Sequence, residues 1–219
     1  MTGTRSYIDL FDRNILQLFR DALRVAWRDP SLVTFLMRVM RHQGTARRTR
    51  QRWEARGVRV PPFLIASIAK RCNLRCKGCY AQAQYREGAE LGVERLRDVI
   101  AEADELGVSF ILVAGGEPLT RPEILDIAAK HPNVVFPPFT NGLLLDEPLV
   151  ARLRGLRNVA PILSVEGHAT QTDARRGAGV HAHALDVMSR LGEAGIFYGA
   201  SLTVTRQNLS VVTDEAFVA

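Results

Sequence analysis

The sequence predicts an α/β fold built on parallel strands, and two observations predict it. Short, nearly continuous apolar runs recur at PFLIASIA (62–69), VSFILVAGG (108–116), NVVFPPFTNG (133–142), NVAPILSVEG (158–167) and FYGASLTVT (197–205), as expected of strands covered on both faces. Helical patterns lie between them, at LGVERLRDVIAEADELG (91–107), TRPEILDIAAKH (120–131), EPLVARLRGLR (147–157) and VHAHALDVMSRLGEAG (180–195). Regular alternation of strand and helix implies parallel neighbours joined by right-handed crossovers. An open doubly wound sheet and a curved, barrel-like sheet both satisfy that pattern.

The chain of 219 residues, 47% hydrophobic and 24% charged, can bury one substantial core and carry a small appendage. The appendage is the first segment. Residues 1–60 hold 13 Arg against 5 Asp plus Glu, a balance of +8, while the remaining 16 basic and 18 acidic residues balance at −2. SYIDLFDRNILQLFRDALRVAWRD (6–29) places Ile8, Phe11, Ile15, Leu18, Phe19, Leu23 and Trp27 at helical spacing. Asp29-Pro30-Ser31 breaks that pattern, SLVTFLMRVMRH (31–42) reads as a second amphipathic helix, and QGTARRTRQRWEARG (43–57) as an Arg-dense connection. Such a basic segment suits a helical cap with solvated arginines, or peripheral contact with a membrane surface or an acidic partner. No specific nucleic-acid signal accompanies it. Asp9, Asp12 and Arg13 stand where a signal peptide needs an apolar run, and no apolar stretch approaches bilayer length. The expected compartment is the cytoplasm, and the expected division is a basic helical segment over 1–60 and a core over 61–219.

Within the core, the pattern at 91–107 sets Leu96, Val99, Ile100, Ala103 and Leu106 on one helix face, and Thr120 with Glu123 reads as a capping box with Pro122 in the first turn. In barrels and open sheets alike, sites gather at the carboxyl ends of parallel strands. Here the first run is followed by Cys72, Cys76 and Cys79, the second by Gly115-Gly116-Glu117-Pro118, and the third by Thr140-Asn141-Gly142. Ser164, Glu166 and Gly167 end the fourth.

All three cysteines fall within AKRCNLRCKGCYAQ (69–82). The C-x3-C-x2-C spacing offers three soft ligands with no fourth cysteine, so the chain alone cannot build a closed four-thiolate site. A zinc site completed by a histidine stays open as a reading, although His42, His131, His168, His181 and His183 form no ligand motif with the loop. A [4Fe-4S] cluster on three thiolates would leave one iron without a protein ligand.

CNLRCKGCY, with an aromatic residue directly after the third cysteine, resembles the signature of the radical S-adenosylmethionine (radical SAM) enzymes. The resemblance implies that Cys72, Cys76 and Cys79 hold a [4Fe-4S] cluster whose open iron chelates S-adenosylmethionine. It further implies reductive cleavage to a 5′-deoxyadenosyl radical that abstracts hydrogen from a substrate, with a peptide or protein among the candidates, and a reductant such as flavodoxin or ferredoxin. GGEP (115–118) is similar to the family's second motif and implies that Gly115, Gly116 and Glu117 contact the methionine amino group. SVEGHATQTDARRG (164–177) resembles the region after the family's fourth strand, implying cofactor contacts from Ser164, Glu166 and Arg176, with Arg176 on the carboxylate and Arg175 competing for that role. Tyr80 is expected beside cluster and adenine, and Asn141 facing substrate or nucleoside. The alternative is a zinc-binding or scaffolding protein of the same fold. The resemblance covers 61–205 and implies a partial (β/α)6 TIM-like barrel, here truncated after about five strands: LSVVTDEAFVA (209–219) reads as the start of a fifth helix with no sixth strand beyond it.

Overall fold

The computed structural model describes residues 13–17, 20–22, 30–83 and 90–218. Most of the expected helix over 6–29 lies outside the described residues, of which 13–17 and 20–22 are helical. The next helix, α1 (Pro30–Glu54), runs for 25 residues through the stretch expected as a connection. Gly44 is tolerated inside it, at a cost of about 1 kcal/mol, because residues on both sides are anchored. Phe35, Leu36 and Val39 pack with Phe110 and Val135, and Trp53 packs on the main core. Buried Arg50 donates to the Gly107 carbonyl at 2.6 Å, and Ser109 donates to Gln43 at 2.8 Å.

All five expected strands form: β1 (Phe63–Ala69), β2 (Phe110–Gly115), β3 (Phe139–Thr140), β4 (Ile162–Val165) and β5 (Gly199–Leu202). β1 and β2 are parallel partners, as are β3, β4 and β5 in that order. Parallel bridges Phe110–Val135, Val113–Pro138 and Phe136–Val159 continue the array between the two groups. The third strand is short because Pro137 and Pro138 have no N–H to give a ladder. Their carbonyls still accept, from Val113 N at 3.0 Å and Ile162 N at 2.8 Å.

Helices α2 (Tyr80–Ala83), α3 (Val93–Leu106), α4 (Glu123–Lys130), α5 (Glu147–Gly155), α6 (Ala169–Arg176) and α7 (Val180–Glu193) connect these strands, and α8 (Leu209–Val212) and α9 (Glu215–Val218) follow. The last two replace the single helix expected there. The capping box does not form: Thr120 donates its hydroxyl to the Glu117 carbonyl at 2.7 Å, inside a short 3-10 turn (Pro118–Thr120), and Arg121 holds Glu123 at 2.8 Å. Asp146 is a true cap, accepting from Leu149 N at 2.9 Å.

The helices cover one face of the sheet. Ile111, Val113 and Leu163 are fully buried there against Ile100, Ile124, Ile127, Leu153, Val187 and Leu191. The other face is concave and open, so β1 is not covered on both sides as its composition suggests: Phe63 and Ile65 are exposed on that face. α1 closes the amino end of the strands, beneath Phe110 and Val135. No described helix is long and apolar enough to cross a membrane.

Truncating Leu36, fully buried under α1, to alanine should lower stability by about 2–5 kcal/mol. Urea denaturation followed by circular dichroism should show one transition, moved to lower concentration. A separate early transition would show that α1 unfolds independently of the sheet.

Candidate functional site

The carboxyl ends of the strands converge on a cavity of about 350 Å³. Each strand contributes to it from its concave side: Ile65 from β1, Leu112 and Ala114 from β2, Phe139 from β3, Ser164 from β4 and Ser201 from β5. The strand-end loops add Cys72, Cys76, Cys79, Gly116, Glu117 and Asn141, and α6 adds Arg175 and Arg176. Of the residues expected to hold cluster or cofactor, only Glu166 is absent from this wall. Those missed are Ile65, Leu112, Ala114, Phe139, Ser201 and Thr203. Their signal was the period-2 alternation inside each apolar run, which becomes readable only once the open face of the sheet is known.

Close backbone contact positions the cysteine loop. Gly116 N donates to the Ala69 carbonyl at 2.6 Å and Glu117 N to the Arg71 carbonyl at 2.8 Å. A Cβ on Gly115 would stand 2.3 Å from the Ala69 oxygen, and one on Gly116 would stand 2.2 Å from the Arg71 oxygen. The glycine pair is therefore required by the loop's own path across the end of β2.

Glu117 acts within the protein. Its Oε1 accepts from Thr140 Oγ1 at 2.8 Å and Leu119 N at 3.1 Å, and its Oε2 from Asn141 N at 2.9 Å. Burial pushes this carboxyl above its usual range, against the pull of those three donors. Asn141 carries the link onward, donating Nδ2 to Asn73 Oδ1 at 2.7 Å and lying 3.8 Å from Cys72 Sγ. Leu74 N also approaches Cys72 Sγ, at 3.4 Å. Tyr80 sits at the mouth, 61% exposed.

Glu166 stands apart from the other expected contacts. It is 2% exposed and lies behind the wall, where Oε1 accepts from Arg176 Nε at 3.0 Å and Nη2 at 2.6 Å, and Oε2 from Arg175 at 3.1 Å and Thr203 N at 3.2 Å. A carboxylate so occupied aims two arginines. The two arginines then differ. Arg175 clamps the cysteine loop, its Nε donating to the Lys77 carbonyl at 3.1 Å and its carbonyl accepting from Lys77 N at 2.9 Å. Arg176 reaches the cavity with Nη1 taking no protein hydrogen bond among the described residues.

All three thiols are half-buried and free. Burial raises the Cys72 and Cys76 thiols, and Arg176 and Arg175 pull Cys76 back down. Among the described residues, no three His, Cys, Asp or Glu side chains converge on a point that a single ion could occupy. The thiols instead surround a space. Zinc needs its thiolates gathered at about 2.3 Å from one centre, whereas a polynuclear cluster is wider and its ligands stand further apart. Three soft donors around a cavity, with a glycine pair admitting backbone beside them, fit such a cluster together with a bound organic ligand.

Comparison with known proteins agrees with this geometry. The model of the Radical SAM superfamily matches residues 66–214. The chain is 33% identical over 169 residues to the mycofactocin maturase MftC of Mycobacterium ulcerans, covering 74% of this chain and 45% of that protein. It is 29% identical to the PqqA peptide cyclase of Granulibacter bethesdensis, covering 69% and 42%. A relative of different named activity, the Fe-coproporphyrin III synthase of Methanosarcina barkeri, matches over a similar span. The chain thus spans less than half the length of these curated relatives. Among solved structures, Streptococcus suis SuiB bound to its precursor peptide SuiA superposes with a TM-score of 0.63 at 17% identity, over 78% of this chain and 39% of that one, and shows the shared fold.

Two substitutions test the geometry. Gly116→Ala should destabilise the fold by about 1–3 kcal/mol and expose the loop to trypsin at Arg71 and Arg75, whereas Gly155→Ala, in a helix where the added Cβ meets open space, should do neither. Glu117 tests the pH dependence. A buried carboxyl raised above its unfolded value of 4.5 contributes most below that value, and its contribution falls as pH rises through the raised one. Glu117→Gln should remove this slope from thermal melting curves recorded upward from pH 4.5, while lowering stability throughout because one amide oxygen replaces two carboxylate acceptors. An unchanged slope would place the carboxyl in a wetter setting than the structure gives it.

Proposed function

We propose, because the chain belongs to the radical SAM superfamily, that it is the core of an enzyme that uses a [4Fe-4S] cluster and S-adenosylmethionine on a peptide substrate. The observation that carries this reading is the meeting of the three-thiol loop, the Gly115-Gly116 backbone and an arginine on one cavity. Cys72, Cys76 and Cys79 would hold the cluster, which with S-adenosylmethionine supplies a 5′-deoxyadenosyl radical able to abstract hydrogen. The chain's own residues bind and orient. Gly115 and Gly116 offer backbone to the methionine amino group, and Arg176 offers Nη1 to the carboxylate. Ser164, with Ser201 beside it in register, offers hydroxyls to the ribose, and Tyr80 offers its ring at the mouth. Asn141 and Glu117 hold the loop that carries the thiols, so each is a positioning residue. Ile65, Leu112 and Phe139 give the concave face an apolar lining. An external one-electron reductant of the flavodoxin or ferredoxin kind belongs to this reading, as does a cytoplasmic setting.

Peptide as the substrate class is supported by the PqqA peptide cyclase relative and by the SuiB neighbour bound to a precursor peptide. It is also supported by the open concave face, which admits a chain from outside.

Protein reconstituted without oxygen should bind about four iron and four sulfide per chain, and Cys72→Ala, Cys76→Ala or Cys79→Ala should abolish that loading. After dithionite reduction, its electron paramagnetic resonance signal should shift on adding S-adenosylmethionine, and Arg176→Gln should raise the concentration needed about tenfold or more. One zinc with no sulfide would replace this reading with the zinc-binding scaffold. Release of 5′-deoxyadenosine raised by a tetrapyrrole and by no peptide would overturn the substrate class alone.

A further inference from the structure

The outer face of α1 carries Arg38, Arg41, Thr45, Arg48 and Arg52 at intervals of three and four residues, one stripe along the helix. All four arginines are exposed, and among the described residues none has an acidic partner; Arg48 reaches only Thr45 Oγ1, at 3.4 Å. On other helices the exposed Arg95 and Arg152 sit beside Glu102 and Asp126, and the partly buried Arg97 and Arg190 beside Glu94 and Asp186, while the exposed Arg154 is a single arginine with no acidic partner among the described residues. Like charges three or four apart destabilise a helix, so the stripe is unfavourable for α1 by itself. It borders a groove of about 630 Å³ between α1 and the Asn133 loop, in which Val33 and Met37 lie beside Arg38, Arg41, His42 and two threonines. His42 Nε2 is buried with no hydrogen-bond partner. Its nearest acid, Asp104 Oδ1, is 3.9 Å away, and the other oxygen of Asp104 is engaged by His131 at 2.8 Å.

We propose that this groove and stripe bind an acidic segment of a polypeptide, with carboxylates of the partner meeting Arg38 and Arg41 and its backbone lying along α1. Charge complementarity selects an anion, and the shape selects a chain. The stripe from Arg38 to Arg52 runs about 21 Å, the reach of about six or seven extended residues, and the groove beside it, with Val33 and Met37 among its walls, accepts side chains that a planar bilayer cannot place there. The site lies at the amino end of the strands, away from the thiols, and its occupation does not depend on the reaction proposed above.

The probe is a fluorescein-labelled octaglutamate peptide, added to the full chain and read by fluorescence anisotropy. Competitors are octaglutamine, vesicles of equal parts phosphatidylserine and phosphatidylcholine, and a mixed-sequence RNA duplex. The octaglutamate should bind, and Arg38→Gln/Arg41→Gln should weaken it about tenfold or more, a loss that Arg38→Lys/Arg41→Lys only partly reproduces and Arg154→Gln does not. Unchanged binding by the double glutamine variant would overturn the proposal. So would equal binding of octaglutamine, or displacement of the peptide by vesicles or RNA at lower concentration than by unlabelled octaglutamate. Melting curves establish that the variants are folded. If the double variant is not, the salt dependence of wild-type binding decides, since affinity unchanged between low and high salt excludes a charge-based site.

Discussion

The geometry of the site depends on one backbone contact, the pressing of the cysteine loop onto the end of β2. Two amide hydrogen bonds and two missing Cβ atoms hold the chain at Ala69 and Arg71 directly against Gly115 and Gly116. Everything beyond Arg71, including all three thiols, is aimed from that fixed start. A backbone contact is insensitive to side-chain rotamers, so the loop inherits the rigidity of the sheet. Reactive or metal-binding groups need this sort of support, because misplacement by an ångström has large chemical consequences.

Two buried carboxylates extend the same support outward. Glu117 spans from the second strand end to the third, and Glu166 from the fourth to the fifth while orienting two arginines on α6. A buried carboxylate is strongly unfavourable unless its lone pairs are filled, and filling them from neighbouring strand ends ties those ends together. Asn141 and Arg175 complete the arrangement from opposite sides, reaching Asn73 and Lys77 in the cysteine loop.

Much of this was legible in the sequence, and the failures have physical causes. The five strands and the larger helices follow from apolar periodicity, because burial on one helix face or along a strand leaves its mark on composition. The cysteine spacing and the glycine pair follow from chemistry that few other residues can serve. Three things were hidden. The helical state of 43–54 is set by Arg50 and Trp53 reaching a surface distant in sequence, while its local composition suggests a linker. The role of Glu166 depends on Arg175 and Arg176 folding back in α6, a helix that the polar sequence ATQTDARR does not announce. The open face of β1 reads as buried because Ile65 and Phe63 are apolar whichever way the sheet curves.

The proline pair of the third strand has a mechanical consequence. Between β2 and β4 the sheet is joined by isolated bridges, with Pro137 and Pro138 contributing carbonyls and no amides. That makes a seam between two stiffer staves, β1–β2 on one side and β3–β5 on the other. Glu117 crosses the seam at its upper end, where it takes the Thr140 hydroxyl and the Asn141 amide, and α1 crosses it at the lower end, where Phe35, Leu36 and Val39 touch both Phe110 and Val135. The sheet is thus clasped at both rims and joined most sparsely between them, so the two staves are tied to each other more by side chains at their ends than by a backbone ladder.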